Sequence, residues 1–219
     1  MQTYTRRQTL LAVTSLAFPL LASSQTVQYR RIDVSNRVDI TVPGHWRVRD
    51  TSERQNIATA ADALLNPAGK LSEPMHVSSL SVISTPEPSQ AIIRVSFVIE
   101  KGTQADFEQD LKRGKETVLA ELALDWKDKS KSLSEAMQKQ GIRYLGDEQF
   151  DVLRLGSKLA FMISYKRSSA RGDSPYVVQQ YHVPIGPDKV LLTMSMQESA
   201  KTLLGPILDR IKSSISIRN

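Results

Sequence analysis

Ala91–Glu100 alternates apolar with polar residues, and a helical stripe follows it at once. Ile93, Val95, Phe97 and Ile99 occupy one side of that segment, opposite Arg94 and Ser96, which is the period of a half-buried strand. Phe107, Leu111, Val118, Leu122 and Trp126 then recur at helical spacing, predicting a long helix over about 104–125 with one docked face. Strand–helix pairs of this kind do not recur regularly along the chain. A doubly wound parallel sheet is therefore disfavoured, and an α+β domain with a largely antiparallel sheet of about six or seven strands is expected.

The remaining segments fit that expectation. Val27–Val42 nearly alternates and breaks at Ser35-Asn36, predicting a hairpin or two short strands. Pro43-Gly44 forces a turn into His45-Trp46-Arg47-Val48, and Asp50-Thr51-Ser52-Glu53 is a helix start, with Asn66-Pro67-Ala68-Gly69 as its stop. Val77–Ser84 pairs with Ala91–Glu100, and Thr103 with Asp106 three residues on reads as an N-cap. Lys127–Lys131 reads as a charged break in the long helix. Phe150–Leu155, Leu159–Lys166, Tyr176–Pro184 and Lys189–Gln197 form a meander of four strands. Leu204, Leu208, Ile211 and Ile215 mark a C-terminal helix that either kinks at Gly205-Pro206 or begins at Pro206. Phe97 and Leu208 are expected in the core.

This order, an early strand running into a Val-Pro-Gly-x-Trp corner at Pro43–Trp46 and closing with the strand and helix of Val190–Ile215, resembles the PsbP/Mog1-like fold. The DcrB-like proteins of bacterial envelopes belong to it. About 27–217 fits. The resemblance implies a binding or assembly factor; the family has no shared catalytic motif, so no catalytic residue is carried over.

Met1–Ser24 is set apart as a secretory signal peptide, leaving 25–219 as a single domain. Arg6 and Arg7 precede an apolar stretch, Leu10–Ala22, and small polar residues follow. The stretch is about 13 residues, whereas a membrane-spanning helix needs about 20, so no stable membrane anchor is expected after processing. Cleavage is expected between Ser24 and Gln25. Thr5-Arg6-Arg7-Gln8-Thr9-Leu10 resembles a twin-arginine export signal, although Thr9 stands where a large apolar residue is usual, and the general secretory route stays open. The expected location is the periplasm of a Gram-negative bacterium, or the medium. There is no cysteine among the 219 residues, which removes disulfides, thiolate metal sites and a lipoprotein anchor.

The chemistry-bearing residues are sparse. His45, His76 and His182 are the only proton carriers with an ordinary pKa near neutrality, and none has a metal-ligand spacing to another. Gly156-Ser157-Lys158 lacks the second glycine of a nucleophile elbow, Gly114-Lys115 lacks the rest of a phosphate loop, and Asp106/Asp110 and Asp125/Asp128 read as solvated helix pairs. Arg171-Gly172-Asp173 reads as turn chemistry rather than an adhesion motif. The formal charge of +6, from 29 Lys and Arg against 23 Asp and Glu, includes a basic run of Arg30, Arg31, Arg37, Arg47 and Arg49. An exported chain rarely meets nucleic acid, so an anionic envelope surface or acidic partner is the better use of that charge. His45, Trp46 and Arg47 at the corner are the binding-surface candidates, with Trp46 and Trp126 also fitting the core.

Together these features predict a binding, adaptor or assembly protein without cofactor, its partner another envelope or secreted protein. An immunity or chaperone protein for a secreted toxin is one special case. The alternative is a hydrolase or metal-dependent enzyme whose residues, His45, His76 and His182 first, converge only in the fold.

Overall fold

The computed structural model describes residues 27–65, 78–169, 172 and 174–218, with the backbone alone over 60–65. The leader, Ser24, Gln25, His76, Arg171, Asp173 and the stop expected at 66–69 lie outside the described residues.

Strands β1 (Tyr29–Val34) and β2 (Val38–Pro43) form the early hairpin. Its loop residues Ser35 and Asn36 both have φ of 56°, and the Arg37 amide donates to the Val34 carbonyl at 3.1 Å. Positive φ at both loop positions matches the right-handed twist of the strands, and asparagine tolerates it well. After the Pro43-Gly44 turn come β3 (Arg47–Val48) and helix α1 (Thr51–Leu65), whose cap is reciprocal. The Glu53 amide donates to Asp50 Oδ1 at 2.8 Å and the Asp50 amide to Glu53 Oε2 at 3.1 Å.

Next are β4 (Leu80–Ile83), β5 (Ala91–Gly102) and two helices, α2 (Gln104–Leu111) and α3 (Lys115–Lys139). Thr103 and Asp106 cap α2 as the sequence predicts. The single helix expected over 104–125 is corrected in two ways. It breaks at Gly114, whose φ of 109° a glycine adopts without steric cost. It then runs unbroken through Lys127–Lys131, because Lys127, Asp128, Lys129 and Lys131 are exposed and charge on a solvated face does not stop a helix.

The meander is β6 (Tyr144–Leu155), β7 (Lys158–Arg167), β8 (Tyr176–Pro184) and β9 (Gly186–Gln197), followed by α4 (Lys201–Ser213) and β10 (Ser216–Ile217). Helix α4 spans Pro206 rather than starting there. Leu204, Leu208 and Ile211 hold it to the core on one side while Pro206 lies on the exposed side.

Every recorded strand pairing is antiparallel, but there are two sheets where one was expected. The larger has seven strands in the order β3-β4-β5-β9-β8-β7-β6, and the smaller is β1-β2-β10. On one face of the large sheet, Leu80, Val82, Ile93, Val95, Leu192, Met194, Tyr181 and Val183 meet Val38, Ile40 and Val42 of β2, Trp46, and the α4 stripe. Burying both sides of β2 is what separates it from the large sheet. Phe97 is only partly buried, under the Arg37 guanidinium at 4.6 Å, and Ile99 is 82% exposed where β5 outruns this core.

The opposite face is covered over β6, β7 and β8 by α2 and α3. Trp126 packs with Ile163, Tyr165, Tyr176 and Val178, and Phe107 with Val118 and Leu159. Toward β4, β5 and β9 the same face mixes Ser81, Arg94 and Thr193 with Ile83, Ile92 and Leu191.

Candidate functional site

Among the described residues, those singled out in the sequence do not converge. His45 and Arg47 are exposed at the corner, whereas Trp46 is 1% exposed and belongs to the core, so its ring leaves the surface candidates. Proline and glycine turn the backbone there, and the indole is the one group of the corner large and apolar enough to be driven inward. The Arg30 guanidinium fixes the turn by donating to the Trp46 carbonyl at 2.6 Å. Gly156 and Ser157 form the two-residue loop between β6 and β7. Asp106 is engaged in its cap, and Asp110 lies 3.4 Å from Arg113. Among the described residues no group of three or more His, Asp or Glu is placed to hold a metal ion.

His182, on β8, stacks on Phe161 with ring centroids 4.4 Å apart and planes 8° from parallel. Neither ring nitrogen has a hydrogen-bond partner. Desolvation, with smaller contributions from Lys189 and Lys129, pushes its pKa down to about 3. It is a neutral packing residue at physiological pH. His45 lies beside β3, four strand spacings from β8, or about 19 Å. The two do not meet.

The sealed imidazole has a measurable consequence. Unfolded, a histidine titrates near 6.5, about three units above the folded value, so the unfolded chain binds the extra proton and stability falls as pH drops below about 6.5. Between pH 7 and pH 5 His182 is expected to remove about 2 kcal/mol. Urea midpoints at the two pH values check this. His182→Phe keeps a ring on Phe161 and should abolish most of the difference; an unchanged difference would show that the imidazole is hydrated.

Two concavities lie on the helix-covered side. The first, about 390 Å³, is floored by Phe107, Leu122 and Phe161 between the end of β5 and helices α2 and α3. Its charges largely neutralise one another: Lys189 pairs with Glu100, and Arg113 donates to both carboxylate oxygens of Glu121 at 3.0 and 2.8 Å.

The second, about 410 Å³, lies beyond α2 and α3 on the same side, lined by Arg47, Arg49, Ile83, Glu87, Ile92, Arg167, Tyr176 and Gln197. Strand register explains the gathering. The Arg49 amide donates to the Ser81 carbonyl at 2.9 Å, and Ser81 pairs with Arg94, so Arg49, Ser81 and Arg94 follow one another across β3, β4 and β5. Arg167 arrives from β7, its guanidinium lying over the Tyr176 ring at 4.5 Å and donating to the Ser168 carbonyl at 3.1 Å.

The electrostatics differ from those of the first concavity. Arg47 is neutralised by Glu53 at 2.6 Å and Glu87 at 3.1 Å. Arg49, Arg94 and Arg167 have no carboxylate partner among the residues whose side chains are described, which leave out Asp62 on α1. Arg94 reaches solvent, yet crowding protein atoms, then the charges of Arg49 and Arg167, lower its proton affinity. Two residues along β5 from the lining residue Ile92 and on the same face, Arg94 borders the concavity rather than lining it. Desolvation lowers the proton affinity of Arg167 as well. The arrangement leaves positive charge uncompensated at the concavity.

The basic run read from the sequence thus divides. Arg31 is held by Asp39 at 2.8 Å and Arg37 by Asp188 at 2.7 Å, while Arg47 and Arg49 reach the concavity. Arg94 and Arg167 are the residues sequence reasoning missed. The available signal was a cation in the middle of the most regular strand, opposite its apolar face.

No family model and no curated protein matches this chain. Solved structures similar in fold include cyanobacterial PsbP (CyanoP) from Synechocystis sp. PCC 6803, with a TM-score of 0.47 and 12% identity over 90% of this chain and 96% of that one. The Ran-binding protein Mog1p of Saccharomyces cerevisiae matches with a TM-score of 0.37 and 11% identity over 88% and 96% of the two chains. A Bacteroides thetaiotaomicron protein matches at 0.42 and 11% over 86% of this chain, which spans only 47% of that protein's length. The chain itself is an α+β protein with antiparallel sheets. Both names carried by the sequence resemblance are among the structures it is similar to. No helix among the described residues is long and apolar enough to cross a membrane.

Proposed function

We propose that this chain is an exported binding protein of the Gram-negative periplasm, an adaptor or assembly factor without chemistry of its own, whose ligand face is the arginine-lined concavity. The observation that carries the reading is a concavity lined by Arg49 and Arg167, with Arg94 beside it on β5, none of the three paired with a carboxylate whose side chain is described. Unneutralised guanidinia in a concavity are costly to the fold and are retained where they meet an acidic group from outside. The leader, with its charged, apolar and small-residue order over Met1–Ser24, supports export. The expected partner is acidic, and another envelope or secreted protein in the first instance; a toxin held by an immunity or chaperone protein is the special case.

Intact mass of the chain from the envelope fraction is expected to begin at Gln25, and full-length chain confined to the cytosol would refute export. Affinity capture from envelope extract should yield one stoichiometric partner that is lost with Arg94→Glu. Metal in the purified protein without any partner would instead favour the hydrolase or metal-dependent alternative.

A further inference from the structure

We propose that helix α2 is a flap that protonation of His182 opens. The inference goes beyond the ligand-face reading and concerns the other concavity, the one floored by Phe107, Leu122 and Phe161.

Three rings in file join α2 to the imidazole. Phe107, the buried residue of α2, meets the Phe161 ring edge-on, with centroids 6.3 Å apart and planes at 87°. Phe161 in turn carries His182 on its face. The helix also holds the strands through one polar side chain. Gln104 donates its amide to the carbonyls of Leu159 at 3.0 Å and Pro184 at 2.9 Å, and accepts from the Leu159 amide at 2.7 Å. Leu159 and Pro184 each lie two residues along their strand from the stacked rings, so α2 is laid across β7 and β8 where the imidazole sits.

The attachment is narrow. Helix α2 is eight residues long, bounded by Gly102 at the end of β5 and by Gly114 with its φ of 109°. Its apolar cluster has only Phe107, Val118 and Leu159 as buried members, and the main core, on the opposite face of the sheet, includes none of them. A unit held by so few buried contacts can open while that core stays packed.

Protonation acts on this attachment in one direction. Both ring nitrogens of His182 are closed off without a partner, so an imidazolium there holds two N–H donors with nothing to accept them. The charges that act on the ring from neighbouring elements, Lys129 of α3 and Lys189 of β9, are both positive. The carboxylates around the concavity are committed elsewhere or face water. On α2, Asp106 serves the cap with Thr103, Glu108 is exposed, and Asp110 lies beside Arg113. Glu100 of β5 pairs with Lys189, and on α3 Glu121 holds Arg113 while Asp125 is exposed at the rim. From β7 the ring meets Phe161, whose face attracts a cation but accepts no conventional hydrogen bond. Opening α2 hydrates the imidazole and removes these costs together. It also uncovers Phe161, Leu159 and Val118, so acid enlarges the apolar floor of the concavity.

With the ring hydrated in the open form and sealed in the closed one, the opening equilibrium should rise about 25-fold between pH 7 and pH 5. At pH 5 the Asp106 carboxylate is still ionised, because its hydrogen bonds with Thr103 hold it below the usual carboxylate range, and the cap of α2 stays intact. The test is hydrogen exchange read by mass spectrometry on the purified chain, corrected for the intrinsic exchange rate at each pH. Amides of α2 are expected to be less protected than those of α4 at both pH values, and to lose a further factor of about 25 at pH 5. In His182→Phe, which keeps a ring on Phe161, that loss should vanish while the protection at pH 7 holds; if this variant does not fold, His182→Leu takes its place. Gln104→Ala should weaken the protection of α2 equally at both pH values, since it cuts the tie without touching the imidazole.

Protection of α2 that does not change with pH overturns the proposal, because the ring then stays sealed when the helix opens. A pH-dependent loss that survives in the folded His182 variant overturns it too, since the titration then belongs to another group. So does protection in α2 equal to that in α4, which means that the helix leaves only when the whole fold unfolds. Exchange in Gln104→Ala that matches the parent likewise counts against α2 as the moving part.

Discussion

Replacing Trp46 by alanine is expected to cost about 3–5 kcal/mol of folding free energy, the range for removing a buried large aromatic ring. The indole is 1% exposed and packs in the main core with residues of β2, β4, β5, β9 and α4. Its neighbours Pro43, Gly44 and the Arg30 bond to its carbonyl hold the backbone in place, so the surroundings collapse poorly into the space left behind. A urea midpoint that falls sharply with an unchanged slope is the signature of this loss. A cost below about 1 kcal/mol would place Trp46 at a solvated surface and restore it to the binding candidates.

Gly156→Ala is expected to be comparably damaging. Gly156 has φ of 58° in the loop between β6 and β7, a conformation that costs an L-residue roughly 1–2 kcal/mol. A methyl group there would also stand 2.7 Å from the Ile215 carbonyl oxygen, which belongs to the backbone leading into β10. Moving that backbone disturbs the small sheet and adds roughly 1–3 kcal/mol, as overpacking does. Gly172→Ala separates the two contributions. It has φ of 78° with nothing within 4 Å of the added carbon, so it carries the conformational cost alone. Thermal unfolding of both variants should show Gly156→Ala clearly the worse; equal shifts would mean that the carbonyl of Ile215 yields freely.

The caps and turns were legible because their chemistry is local. Asp50 with Glu53, Thr103 with Asp106, and the Ser35-Asn36 loop each use side chains within three residues of the backbone groups they serve. The strand boundaries of β7 and β8 follow from alternation and flanking turn residues in the same way. The break at Gly114 was missed because a single glycine after Arg113 is compatible with either a continued helix or a bend, and the packing of Phe107 against Phe161 on β7 lies beyond any local window. Lys127–Lys131 misled because charge density resembles a loop in composition.

The candidate site was legible only at its rim. Arg47 and Arg49 stand in a visible basic run, but whether a given arginine is neutralised depends on a partner distant in sequence, such as Asp188 for Arg37.

The amino-acid order determined the element types, the antiparallel preference, the helix and hairpin signals and the separate leader, because each follows from periodicity or from contacts a few residues long. Only the tertiary structure decided that β2 leaves the large sheet to build a second one with β10, that Trp46 points inward, and that His182 is sealed against Phe161. It alone decided that Arg49 and Arg167 line one concavity, with Arg94 beside it on β5. Strand order β3-β4-β5-β9-β8-β7 places residues from positions 49 to 167 on one face, and that order is set by how two apolar faces are buried at once, a property of the whole chain rather than of any stretch of it.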